Sequence, residues 1–283
     1  MTRIRELTPY RVKSPNRPRP RWRIVRAVPL ALGALVLAAT WAAAASGPSA
    51  APCFGTAYNP SNPTHYIYPN ASTPLDSDGF VVVDLRGSAT ARTVFEDLHN
   101  PVRAKVHGTS LADLICTGGL ADQVWAGGGD DVVDGGAGND RLYGQGGFDT
   151  LEGGRGRDAL RGGSGPDFLR GDRYLDSVDP GGPSDDRLVG GGGNDNLLGD
   201  FGSDDLLGSA GNDNLSGGMG DDTLWGGAGD DALQGDWGND CHDGGDGYDT
   251  AMEFADAGVD TASSTVEVVL WVFETIEHGG SCG

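Results

Sequence analysis

From residue 108 onward the chain places one aliphatic residue in every nine. The column runs through Ile115, Val124, Val133, Leu142, Leu151, Leu160 and Leu169, then Leu188, Leu197, Leu206, Leu215, Leu224 and Leu233. This pattern predicts a unit made of a six-residue turn and a three-residue strand. Neighbours in a strand point to opposite faces, so the eighth residue faces inward while the seventh and ninth face out. One aliphatic residue in nine is a thin core, and no single unit outweighs its ordering entropy with that alone. The units must stack.

The polar positions keep the same period. Gly135-Gly136-Ala137-Gly138-Asn139-Asp140-Arg141-Leu142-Tyr143 is followed by Gly153-Gly154-Arg155-Gly156-Arg157-Asp158-Ala159-Leu160-Arg161 and by Gly162-Gly163-Ser164-Gly165-Pro166-Asp167-Phe168-Leu169-Arg170. Residues 108–252 divide into 15 such units, with one ten-residue insertion between Asp172 and Asp185. The sixth position is Asp in all 15 units, and the fourth is Gly in 12, the exceptions being Leu111, Leu120 and Ser184. His242 breaks the aliphatic column and Ala251 thins it, which places the end of the stack there.

This array resembles the RTX, or hemolysin-type, calcium-binding repeat G-G-x-G-x-D-x-U-x. The resemblance implies an all-β fold, a right-handed parallel β-roll in which two nonapeptides make one coil and calcium sits in the turns between coils.

Composition fits a cation as the missing partner. The chain has 49 Gly, and 41 acidic residues against 20 basic ones. Residues 1–26 hold nine of the bases and one acid, so the remainder carries 20 − 9 = 11 bases and 41 − 1 = 40 acids, a net of −29. A polyanion repels nucleic acid and anionic membranes. Calcium takes six to eight oxygen ligands, carboxylates and carbonyls together. The expected carboxylate ligands are Asp122, Asp131, Asp140, Asp149, Asp158, Asp167, Asp186, Asp195, Asp204, Asp213, Asp222, Asp231, Asp240 and Asp249. The expected neutral oxygens come from turn backbones such as Gly135, Ala137 and Asn139, Gly153, Arg155 and Arg157, and Gly217, Met219 and Asp221. Each ion is expected between turns two units apart, as between Asp140 and Asp158 or Asp149 and Asp167. Several ions follow, at most seven on one edge and six on the other.

The N-terminus reads as an address. A basic run to Arg26, the apolar stretch Ala27–Ala45 and the small residues Ala43-Ala44-Ala45 have the order of a secretory signal peptide cleaved before Ser46. An uncleaved anchor is the alternative, since 19 apolar residues just span a bilayer. Either way the body lies outside the cytoplasm and is not itself membrane-embedded. Four cysteines fit an oxidising compartment and allow three pairings. The pairs Cys53–Cys116 and Cys241–Cys282 would each staple one end of the array.

The expected organisation is a signal peptide at 1–45, a linker and cap at 46–107, the roll at 108–252 and a β-rich cap at 253–283. No H-E-x-x-H, G-x-S-x-G or P-loop occurs, so no catalytic residue is named. The leading reading is a secreted calcium-binding structural or interaction module, with an extracellular surface or matrix as possible partner. The alternative is a small secreted calcium-dependent hydrolase with its active site in the caps.

Overall fold

The computed structural model describes residues 66–67, 76–86, 93–95, 103–172, 184–252, 261–262, 266–270 and 277–278. Successive strands alternate between two 11-stranded sheets. Sheet I includes Val132–Ala137, Thr150–Arg155, Phe168–Arg170 and Asn196–Phe201. Sheet II includes Gln123–Gly128, Arg141–Gly146, Ala159–Ser164 and Arg187–Gly192. Every pairing among the described residues is parallel, and Leu142 lies opposite Leu160 as Leu215 lies opposite Leu233. One coil is therefore 18 residues, two repeats. This is a β-solenoid, as the nine-residue period requires.

The core is the predicted column. Its 13 members, from Ile115 to Leu233, are all at most 2% exposed. They form one cluster that continues into Val106, Ala104 and Val83. Across the insertion, Leu160 pairs with Leu188 and Leu169 with Leu197, a step of 28 in place of 18. The extra ten residues leave the register untouched.

Two expectations are corrected. Most strands are six residues long, as in Arg141–Gly146, so the turns span three residues and not six. In the six-residue strands the first three residues of a unit pair with the neighbouring coil in place of turning freely; Gly163 lies opposite Gln145 and Ser164 opposite Gly146. The stack also continues beyond both expected ends. Val83 pairs with Val106 and Val106 with Val124, while His242 pairs with Ala262 and Ala251 with Val269. His242 is 1% exposed, a core member of an interior coil.

Among the described residues no helix is long and apolar enough to cross a membrane. Cys116 and Cys241 stand in strands and neither is a free thiol. The signal segment 1–45, Cys53 and Cys282 lie outside the described residues.

Deleting Arg173–Gly182 should convert the 28-residue step into the ordinary 18 and leave the parallel fold intact. Far-UV circular dichroism of the calcium-saturated variant should match that of the parent. Loss of the β signal would show that the inserted residues are needed for stacking.

Candidate metal centres

The sixth residue of each unit closes the turn and enters the next strand. Its side chain is buried in every unit, from Asp113 to Asp249. From Asp122 to Asp249, one oxygen of each carboxylate accepts a backbone N–H from the coil before. On the edge entering sheet I, the amides of Asp113, Asp131, Asp149, Asp167, Asp195, Asp213 and Asp231 donate to Oδ1 of the next Asp at 2.7–3.0 Å. On the edge entering sheet II, those of Asp122, Asp140, Asp158, Asp186, Asp204 and Asp222 do the same at 2.7–2.9 Å. The amide of Ala104 begins that row by donating to Asp122. The residues predicted from the period are thus brought into two continuous ladders, with seven Asp–Asp rungs on one edge and six on the other.

The second carboxylate oxygen is the informative atom. Oδ2 of Asp131, Asp149, Asp158, Asp167, Asp186, Asp195, Asp204, Asp213, Asp222 and Asp231 is buried with no hydrogen-bond partner. Such an atom is costly unless something neutralises it. From Asp149 to Asp231 each faces the first glycine of its own unit, whereas the unit of Asp131 opens on Ala126. A Cβ on Gly135 would lie 2.6 Å from Asp140 Oδ2 and 2.7 Å from the carbonyl oxygen of Gly153. A Cβ on Gly153 would lie 2.5 Å from Asp158 Oδ2 and 2.7 Å from the Gly171 carbonyl. Glycine at this position keeps open a small space walled by a carboxylate and a carbonyl of the next coil.

The predicted neutral oxygens divide into three kinds. The carbonyls of the first-position residues Gly153 and Gly217 stand beside the aspartates. That of Gly135 accepts the amide of Gly118 at 3.0 Å. Third-position carbonyls are engaged between coils: Arg155 accepts from the Gly138 amide at 2.7 Å and Met219 from the Gly202 amide at 2.8 Å. Fifth-position residues Asn139, Arg157 and Asp221 are exposed on the outer rim.

That rim carries a second ladder, which the sequence reading missed. The amide of Arg157 donates to Asn139 Oδ1 at 3.3 Å, that of Asn212 to Asn194 at 2.9 Å and that of Asn239 to Asp221 at 2.9 Å. Here the side chain serves the following coil, whereas the inner aspartate serves the preceding one. The available signal was Asn or Asp at the fifth position in eight of 15 units.

A family model described as RTX calcium-binding nonapeptide repeat (4 copies) matches residues 107–142, 117–151, 134–169, 180–215 and 216–251. These are RTX calcium-binding repeats. No curated protein matches the chain.

The donor set of the RTX array fits the hard cation its repeats bind. The ladders offer oxygen only, and calcium is satisfied by carboxylates and carbonyls together. Among the described residues, no three His, Cys, Asp or Glu side chains group around a point that could hold a metal ion. Backbone oxygens must therefore supply most of any coordination shell.

Burial sets the electrostatics. It pushes the carboxyl groups of Asp131 and Asp158 up to about 8, Asp222 to about 9 and Asp186 to about 10. The amide donated by the preceding Asp works the other way, and neighbouring carboxylates add to the rise. These folded values exceed the unfolded one of about 3.9. The metal-free roll thus binds more protons than the unfolded chain, and its stability falls as pH rises. Calcium-depleted protein should hold β structure best near or below about pH 4 and lose it progressively as pH rises from there towards about 8–10, followed by circular dichroism. Stability that grows across that window would contradict the buried, unpaired carboxyls.

Proposed function

We propose that this chain is a secreted calcium-ion-binding protein, a structural or interaction module whose folding is driven by Ca2+. The observation that carries the reading is the row of buried Asp Oδ2 atoms facing backbone carbonyls across a glycine. In the proposed sites, the inner aspartates from Asp122 to Asp249 supply the charge. First-position carbonyls are the nearest neutral donors, and those of the third and fifth positions complete the shell. The bound ion supplies positive charge where two turns meet. Binding energy then becomes folding energy, because the unfolded chain has no such site.

Export of the body follows from the basic–apolar–small order of residues 1–45. The pairs Cys53–Cys116 and Cys241–Cys282 would close the two ends of the stack in that compartment. The reading is non-enzymatic: the carboxyl groups of the ladders are taken as ion ligands, not as an acid/base pair.

Two measurements test it. The chain with residues 1–45 removed should be largely unfolded in chelator at pH 7.5 and acquire a cooperative β spectrum on calcium addition. A cooperative β-rich fold at low ionic strength in excess chelator would defeat the reading. The single change Asp204→Asn keeps the Oδ1 acceptor but removes a charge. It should raise the calcium midpoint of folding by about tenfold, ~1.4 kcal/mol, whereas Asp205→Asn on the exposed face should leave it unchanged.

A further inference from the structure

The outer face of sheet II carries a stripe that the calcium ladders do not use. His107, Trp125, Tyr143 and Arg161 follow one another there, one per coil, in register across parallel strands. The rings of His107 and Trp125 stack at 4.6 Å and 12°, and those of Trp125 and Tyr143 at 5.6 Å and 10°. Two residues earlier on their strands stand Arg141 and Arg187, on either side of Ala159. Arg141, Arg161 and Arg187 are exposed, and none takes part in an ion pair among the described residues.

Their setting makes the grouping unusual. Residues 108–252 hold 29 acids and seven bases, yet three of the seven gather here. The strands Gln123–Gly128, Arg141–Gly146, Ala159–Ser164 and Arg187–Gly192 contain no acid at all.

We propose that this stripe binds a linear anionic polysaccharide, with a carboxylate or sulfate on every one or two sugars, laid along the stacking direction. Successive coils are about 4.8 Å apart, close to the advance of one pyranose in an extended chain. Arg141 and Arg187 are two coils apart, about 9.6 Å, the repeat of a disaccharide. Guanidinium groups pair bidentately with carboxylate or sulfate oxygens. Trp125 and Tyr143 add an N–H and an O–H donor for sugar hydroxyls.

The same charges disfavour other polyanions. Duplex DNA carries a charge every ~1.7 Å, far denser than three arginines can match on a polyanionic body. The stripe runs along the N-terminal ends of these strands, on their first and third residues, beside the turns that carry Asp140, Asp158 and Asp186. Those aspartates are buried, whereas fifth-position acids such as Asp130 and Asp221 are exposed on the rim. A thin chain can lie on the arginines alone, whereas a flat membrane must also meet the acids of the rim.

The proposal rests on the calcium-loaded fold above, so the test uses the calcium-saturated chain with its circular dichroism recorded in the same samples. Titration with hyaluronan oligosaccharides and with dextran sulfate should show binding that salt weakens, with none to neutral dextran. The exposed triple variant Arg141→Gln, Arg161→Gln, Arg187→Gln should keep the β spectrum and bind at least tenfold more weakly. A folded parent that ignores both charged polymers overturns the proposal. So does a triple variant that binds as well as the parent, or tighter parental binding to phosphatidylserine vesicles or duplex DNA. A chain that stays unfolded in calcium overturns the folding reading instead.

Discussion

A buried carboxylate in every half-coil is the constraint around which the rest of this structure is arranged. In Asp149 and Asp213 Oδ1 accepts one backbone amide, which leaves Oδ2 pressed against glycine and facing a carbonyl. Two like charges about 5 Å apart cost roughly 1–3 kcal/mol at an effective dielectric of 20–60. The aliphatic column, one side chain per nine residues, contributes about 1.5–3 kcal/mol per fully buried member before any ordering cost. Neither quantity leaves a margin for a charged, empty ladder. The repeated glycines, the thin core and the tight coil spacing are therefore compatible only with carboxylates that have been neutralised, by protons or by a divalent ion.

Much of this was legible because a solenoid turns sequence period directly into spatial register. Residues nine apart fall on opposite sheets and residues 18 apart lie in contact, so the column from Ile115 to Leu233 and the row of aspartates needed no long-range guess. The insertion was legible for the same reason: a step from Leu160 to Leu188 is a normal coil plus ten residues. Strand length was not. Positions one to three look like turn residues because they are rich in glycine, yet they pair with the coil above. Gly154 reaches this pairing at a φ of 103°, and a Cβ there would collide with the carbonyl of Gly136.

The ends of the stack were misjudged because a core column can lose its aliphatic character without losing its place. His242 occupies an interior position between Leu224 and Ala262. Val83 and Val106 continue the column in a region where the nine-residue spacing has dissolved. The outer ladder was hidden differently, since the fifth position tolerates Phe148, Pro166 and Tyr248 beside its Asn and Asp. A backbone amide needs its acceptor only from the coil before, so the column remains intermittent.

The two ladders also give the stack an arrow. Each inner amide from Asp113 to Asp231 is satisfied by the coil that follows it, as when Asp195 donates to Asp213, and the outer amides, where that ladder runs, by the coil that precedes them, as when Asn212 donates to Asn194. A cut across the array therefore exposes two chemically unlike faces. The face left on the N-terminal piece presents inner amides seeking a carboxylate, together with outer side chains that have lost their donors. The face on the C-terminal piece presents the complement. Two such rods can join only head to tail, because head-to-head contact would set inner amide against inner amide. Polarity of assembly is thus written into the hydrogen-bond direction, independently of what the outer surfaces recognise.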